Sequence, residues 1–278
     1  MVTLLLKDKI AIVTGGSNGM GEAIAKKFAQ VGASVVIADM NLEGAKHVAH
    51  QIQQDGGICE VYHAVDITDV DQVQSLVQET INQFGRVDIL ANCAGGVLSD
   101  NGNSDNITMS DWNTVVELNL NGTMNVILEV LPHMKKQKYG KIVNFSSMGA
   151  FHPYSVVLHY HAAKGAIESV TKNLAFELAP KGIYVNVIAP GPIMTPFWDK
   201  VMPPGPERDE LLKGVANKEV PIGRLGTAED IAGVALFLSS ELSDFVTGQK
   251  INVGGGMGNI VSYDSTFLSS TDNAVINK

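Results

Sequence analysis

The stretch Lys9-Ile10-Ala11-Ile12-Val13-Thr14-Gly15-Gly16-Ser17-Asn18-Gly19-Met20-Gly21 decides how the rest of the chain is read. Ile10 to Val13 is a short apolar, β-branched run of the kind that forms a buried strand, and Glu22 to Val31 carries apolar residues at helical spacing. A glycine turn joins the two. Glycine suits a sharp reversal that must let a ligand approach the backbone, and the unpaired N–H groups and dipole of a helix start favour an anion such as a pyrophosphate. Gly15, Ser17, Asn18, Gly19 and Met20 are therefore candidate contacts for a dinucleotide. The spacing Gly15-x-x-x-Gly19-x-Gly21 is not G-x-G-x-x-G. It is the strand before it and the helix after it that give the turn its meaning.

Working outward, the next apolar run, Ser34 to Ala38, ends at Asp39, about 20 residues beyond the turn, where an acid that binds ribose hydroxyls is expected. A carboxylate there repels a 2′-phosphate, and neither Ser17 nor Met40 supplies a compensating cation, so the pattern points to NAD. Asp39 also suits a cap for a helix beginning at Leu42. Asp66, followed by Ile67, closes the run Val61 to Val65; it is equally suited to the adenine amino group or to capping a helix over Val70 to Phe84. Further strands are expected at Cys59 to Ala64, Ile89 to Asn92, Lys141 to Phe145, Tyr184 to Ile188 and Lys250 to Val253, with helices between them. Their near-continuous apolar character is what a parallel sheet covered on both faces requires. The expected fold is α/β, a Rossmann-like doubly wound sheet of about seven strands. Right-handed crossovers then bring Gly15, Asp39, Asp66, Asn92, Ser147 and Pro190 to the carboxyl edge of the strands, where ligands bind.

Tyr160 and Lys164 stand four residues apart in Leu-His-Tyr-His-Ala-Ala-Lys-Gly, so one helical turn stacks a phenol over an ammonium. An isolated phenol titrates near pH 10, and a neighbouring cation lowers that value, which suits a general acid/base near neutrality. Alone, this spacing also occurs on solvated helix faces.

Taken together, Thr14-Gly-x-x-x-Gly-x-Gly21, Asn92-Cys93-Ala94-Gly95, Asn119 in Leu-Asn-Leu-Asn-Gly, Ser147 thirteen residues before Tyr160, Tyr160-x-x-x-Lys164 and Pro190-Gly191 resemble the short-chain dehydrogenase/reductase family, from about Leu6 to Gly256. Cys93 departs from the commoner Asn. The resemblance implies roles. Ser147 hydrogen-bonds the substrate oxygen, Tyr160 is the acid/base, and Lys164 holds the nicotinamide ribose and depresses the Tyr160 pKa. Asn119 holds a water linking Lys164 to solvent. Asn92, Ala94 and Gly95 flank the cofactor, and Pro190, Gly191, Ile193 and Thr195 meet the nicotinamide carboxamide. It also implies a homotetramer pairing helices around Trp112 to Leu131 and Ala162 to Leu178.

The 278 residues, 45% hydrophobic, suffice for one domain, with a substrate lid near 193–220 and a C-terminal extension near 258–278. A net charge of −9 argues against a nucleic-acid surface. No run of about 18 apolar residues offers a membrane span, the first nine residues are too short for a signal peptide, and Cys59 and Cys93 read as core thiols. A cytoplasmic location fits. His152, His159 and His161 lack the spacing and partners of a metal site, so no metal is expected. Val97, Met148, Phe151, Tyr154, Val157, Met194, Phe197, Trp198 and Met202 are the candidate substrate pocket. Their apolar character implies a neutral, fairly hydrophobic secondary alcohol or ketone. An NADPH-dependent ketoacyl-type reductase and a non-catalytic dinucleotide-binding protein are the alternatives. A helix cap of the Thr227-x-x-Asp230 type is expected before a helix through Leu238.

Overall fold

Successive residues of the first two strands point to opposite faces of one sheet, and both sets are apolar. Ile12 and Val36 face one way while Val13, Val35 and Ile37 face the other, and all five are fully buried. This double burial requires helices on both sides. In this computed structural model, which describes residues 4–98, 102–152, 157–196, 198–199 and 203–258, the helices are there.

The strands are β1 (Ile10–Thr14), β2 (Ser34–Ala38), β3 (Ile58–Glu60), β4 (Ile89–Asn92), β5 (Gly140–Phe145), β6 (Ile183–Pro190) and β7 (Lys250–Val253). They form one sheet in the order β3-β2-β1-β4-β5-β6-β7, every neighbouring pair parallel. The helices are α1 (Gly19–Gln30), α2 (Leu42–Gln54), α3 (Val70–Phe84), α4 (Met109–Val116), α5 (Thr123–Gln137), α6 (Leu158–Leu178), α7 (Pro206–Glu219) and α8 (Ala228–Ser239). Ile24 and Phe28 of α1, Val48 of α2 and Ile231 and Leu238 of α8 cover one face; Leu76 of α3, Val126 and Ile127 of α5 and Leu178 of α6 cover the other. Phe28 is completely buried, so truncating it to Ala would cost about 3–5 kcal/mol.

The strand order reverses between β1 and β4. There the crossovers leave to opposite faces and open a crevice at the carboxyl edge.

Three elements differ from the sequence expectation. β3 ends at Glu60 instead of continuing to Ala64, because as an edge strand it has only β2 to hold it; the chain leaves the ladder and touches β2 again where Val65 N–H donates to Asp39 O (2.9 Å). The single helix expected around Trp112 to Leu131 is interrupted by a π-helical stretch, Glu117–Gly122. α6 begins at Leu158, a turn earlier than Ala162, which puts Tyr160 and Lys164 inside one helix. At α8 the cap forms as expected: Thr227 Oγ1 accepts from Asp230 N–H, and the Asp230 carboxylate accepts from Thr227 N–H.

Candidate active site

At the glycine turn the backbone itself forms the floor. Gly15 has φ +68°, and a Cβ there would lie 2.8 Å from the Ala94 Cα and N, so no L side chain fits. Gly19 has φ +57° and faces Thr195, whose Cβ would be 3.5 Å from a Gly19 Cβ. Asp39, at the end of β2, accepts Ser17 N–H on Oδ2 (3.0 Å) and Asn41 N–H on Oδ1 (2.9 Å). The capping role that Asp39 also suited belongs to Asn41, and the one that Asp66 suited belongs to Asp69. Asp66 instead accepts the N–H and hydroxyl of Thr68 on Oδ1 (2.9 and 2.8 Å). Asp39 thus follows directly on the end of β2, whereas Asp66 lies in the loop six residues beyond the end of β3. A side-chain-free floor at a helix start, with a carboxylate across from it and Met40 65% exposed beside that carboxylate, fits a nicotinamide dinucleotide.

Ala94 and Gly95 follow β4. Ala94 N–H donates to Thr14 Oγ1 (3.1 Å), which fastens this loop to the glycine turn. The Asn92 side chain is buried and directed across the sheet: its Nδ2 donates to Asn144 Oδ1 (2.9 Å), and Asn144 Nδ2 donates to Thr171 Oγ1 (3.0 Å). Among the described residues Asn92 Oδ1 is buried without a partner. Ile67 is buried, with Asn125 Nδ2 donating to its carbonyl (3.0 Å). Met20 is partly buried against the core.

Two side chains converge on Gly95. A Cβ on that glycine would lie 2.7 Å from Asn119 Oδ1 and 3.0 Å from Lys164 Nζ, so a side chain there would fill the space they share. Asn119, on the π-helical stretch, gives its two N–H bonds to Gly96 O (2.8 Å) and Val115 O (2.9 Å) and accepts Gly96 N–H (3.0 Å). The whole amide is engaged. Lys164 is 4% exposed; its Nζ donates to Phe145 O (3.0 Å) and sits 5.6 Å from the Tyr160 ring centroid. Burial lowers its pKa to about 8, with the Cys93 thiol acting weakly the other way. Ser147 is buried at the end of β5, where its Oγ caps a short turn over Met148–Ala150 by accepting Gly149 N–H (3.1 Å).

After β6 the chain makes a narrow strap. Gly191 N–H donates to Val253 O (2.9 Å), and Ile193 forms an isolated parallel bridge with Gly226. Trp198 Nε1 donates to Ile193 O (2.8 Å). Val97 and Val157 are half-buried and Met194 is 47% exposed. Met148 corrects the sequence expectation for the pocket: its side chain is fully buried with Ala189 and Met257, beneath Gly191 and Gly254, and presents no surface to a substrate. Phe151 lies with its ring 3.4 Å from Lys250 Nζ on β7. Tyr154, Phe197 and Met202 fall outside the described residues, as does the extension beyond Gly258. Among the described residues no group of three His, Cys, Asp or Glu side chains is placed to hold a metal.

Sequence reasoning missed Ser146 and Glu168. Ser146 Oγ lies 2.8 Å from Glu168 Oε1 and 3.0 Å from the Lys164 carbonyl, joining the loop that leads from β5 to Ser147 to the helix that carries Lys164; Glu168 in turn pairs with Lys250 (3.2 Å). The available signal was that Glu168 falls one helical turn after Lys164. Thr14 and the Asn144–Thr171 link were missed as well, because a polar residue at a strand end names no partner.

The sequence model of the family described as enoyl-(acyl carrier protein) reductase matches residues 15–258. The chain belongs to the short-chain dehydrogenase/reductase family and is an oxidoreductase of that class. It is 35% identical over 252 residues to a 3-oxoacyl-[acyl-carrier-protein] reductase of Thermotoga maritima, covering 91% of this chain and 98% of the relative. It is 38% identical over 253 residues to 7alpha-hydroxysteroid dehydrogenase of Escherichia coli, covering 91% and 95%. A solved 7alpha-hydroxysteroid dehydrogenase complexed with NADH and 7-oxo glycochenodeoxycholic acid superposes with a TM-score of 0.84 at 38% identity, covering 92% of this chain and 96% of that one.

Proposed function

We propose that this chain is an NAD(H)-dependent dehydrogenase/reductase interconverting a secondary alcohol and its ketone, without a metal. The observation that carries the reading is the pairing of two features. Tyr160 and Lys164 share a turn of α6 that is tied to the end of β5, ahead of Ser147, by Lys164 Nζ on Phe145 O (3.0 Å) and Ser146 Oγ on Lys164 O (3.0 Å), and Asp39 closes the glycine turn through Ser17 N–H at 3.0 Å. Gly15, Ser17, Asn18, Gly19 and Met20 would cradle the pyrophosphate, Asp39 the adenosine ribose, and Asp66 and Ile67 the adenine. Ala94, Gly95, Lys164, Gly191, Ile193 and Thr195 would hold the nicotinamide half, with Asn92 and Pro190 shaping the strand ends beneath it. When bound, the cofactor supplies the hydride acceptor or donor.

The chain's own residues handle the proton. Ser147 Oγ orients the substrate oxygen, and Tyr160 Oη takes the hydroxyl proton in oxidation and returns it in reduction. With a pKa of about 8, Lys164 is still mostly charged at pH 7, so it stabilises the phenolate and offers N–H donors to ribose hydroxyls. The Asn119 amide is engaged by Gly96 and Val115, so a relay water would rest on the Asn119 main-chain carbonyl, which also accepts the Thr123 hydroxyl (3.1 Å).

For the substrate we propose a neutral, fairly hydrophobic secondary alcohol, supported by Val97, Met194 and the aromatic residues near the strap. The T. maritima relative's name favours a ketoacyl-type reductase instead, a reading that Asp39 disfavours where the cofactor is NADPH. Phe176 on α6 (88% exposed), Leu128 on α5 (57%) and Phe245 (104%) support a homotetramer. No helix among the described residues is long and apolar enough to cross a membrane, and the free cysteines Cys59 and Cys93 favour a reducing, cytoplasmic setting. A panel of secondary alcohols with NAD⁺, followed by NADH absorbance, tests the reading; if no alcohol on it were oxidised, and no matching ketone reduced with NADH, the non-catalytic alternative would take its place.

A further inference from the structure

We propose that Trp198 is a positioning residue for the nicotinamide carboxamide, acting through Ile193; the inference rests on the NAD reading above. Pro192 has no N–H, and Met194 N–H is spent on Gly226 O (2.8 Å), while Gly226 N–H donates to Pro192 O (3.0 Å). Those two bonds flank Ile193, so its own N–H and C=O project from the opposite edge of the strap, away from Gly226. On that edge the Ile193 carbonyl is taken by the Trp198 indole N–H at 2.8 Å. Among the described residues nothing accepts the Ile193 N–H, so that edge is left with this one backbone donor.

This matters because a carboxamide carries both a donor and an acceptor. An edge offering both N–H and C=O would accept the group in either of two flipped orientations. With its carbonyl occupied, Ile193 offers only a donor, so the carboxamide oxygen docks there and the amide nitrogen is left to an acceptor such as the Thr195 hydroxyl. The orientation of the nicotinamide ring follows from that choice.

Trp198 is itself held in place. Its own N–H donates to Thr195 O (3.2 Å), Asp199 N–H donates to Pro196 O (3.1 Å), and the Asp199 carboxylate pairs with the Arg208 guanidinium on α7. On the other side, Arg224 binds the Leu225 carbonyl (3.0 Å) and Asp230, fixing the segment that supplies Gly226. The strap is thereby clamped from both edges before any ligand contacts it.

The test compares NADH with ADP-ribose, which lacks the nicotinamide. Calorimetric titration of Trp198→Phe should show NADH binding weakened about five- to tenfold, with ADP-ribose changed less than about twofold, the effect of losing one hydrogen-bonded support. Equal weakening of both ligands, or no weakening of either, overturns the proposal. Should Trp198→Phe fail to fold, the Trp112→Phe protein, with Trp198 as its sole tryptophan, gives the same decision. Its indole ¹H–¹⁵N resonance should move with NADH and stay with ADP-ribose, and an indole indifferent to NADH overturns the proposal. If the unmodified protein bound neither NADH nor NADPH, the cofactor reading itself would fall and this inference with it.

Discussion

Lys141 and Lys164 are both buried, at opposite ends of the same sheet, and the fold treats them differently. At the amino edge, Lys141 has no exposed surface, but its Nζ meets Asp244 Oδ1 (2.7 Å), Ser243 Oγ (3.3 Å) and the face of Tyr184 (3.9 Å to the centroid). Its charge is compensated. At the carboxyl edge, the acceptor that Lys164 Nζ has among the described residues is the neutral carbonyl of Phe145, and burial draws its pKa down to about 8. A buried cation without an acid costs stability, and folds keep such groups mainly where chemistry uses them. The contrast teaches that burial of a lysine says little until its acceptors are counted.

The contrast can be broken most severely at the site itself. Tyr160→Phe keeps the ring but removes the hydroxyl proposed to move the proton, so turnover with the best alcohol should fall about 10²–10⁴-fold while NADH affinity stays nearly intact. Lys164→Met should lose a similar factor in turnover and weaken cofactor binding too. A Tyr160→Phe enzyme with unmodified kcat would show that the acid/base has been assigned to the wrong residue.

Next in size, Asp244→Ala recreates at Lys141 the situation of Lys164, an ammonium buried without an acid. Thermal or urea unfolding should register a loss of about 2–4 kcal/mol, with kcat unchanged. Little change in stability would mean that Ser243 and Tyr184 suffice for that charge.

The smallest effect has the opposite sign. Lys164→Met removes an uncompensated cation, worth on the order of 3 kcal/mol at pH 7 from the lowered pKa, and orphans the Phe145 carbonyl, which costs about 1–2 kcal/mol. The inactive variant should therefore be more stable than the unmodified protein by about 1–2 kcal/mol. Below pH 8 the native and unfolded states both carry the proton and the burial cost is complete. Between about pH 8 and 10.5 the native state has shed a proton that the unfolded state keeps, so the unmodified protein gains stability relative to the variant and the gap closes. A gap independent of pH over that window would assign the gain to packing instead.

The same two lysines show where the sequence was legible. Strand ends and motif spacing located Gly15, Asp39, Ser147, Tyr160 and Lys164 at one edge, because a parallel sheet wound in one hand leaves little choice of where strand ends go. β2, β4 and β7 have the expected bounds for the same reason. Side-chain direction was not legible. Asn92 and Met148 sit in the expected loops, yet one reaches across the sheet to Asn144 and the other packs beneath Gly191, outcomes set by neighbours distant in sequence. The π-helical stretch at Asn119 was not legible because Asn119, Asn121 and Gly122 weaken a helix without specifying a wider turn, and the bonds of the Asn119 amide reach Gly96, 23 residues away. Ser146 and Glu168 were invisible for a related reason, since the link between them exists only once β5 and α6 are packed together.

The account's central claim is that this edge of the sheet binds NAD for alcohol chemistry, and it is tested most directly by kcat/KM of the unmodified protein with NAD⁺ and with NADP⁺ on one good secondary alcohol. The Asp39 carboxylate beside a 2′-phosphate, with no cation supplied by Ser17 or Met40, predicts a preference for NAD⁺ of at least about 10²-fold. Efficiencies within about threefold of each other, or a preference for NADP⁺, would contradict it.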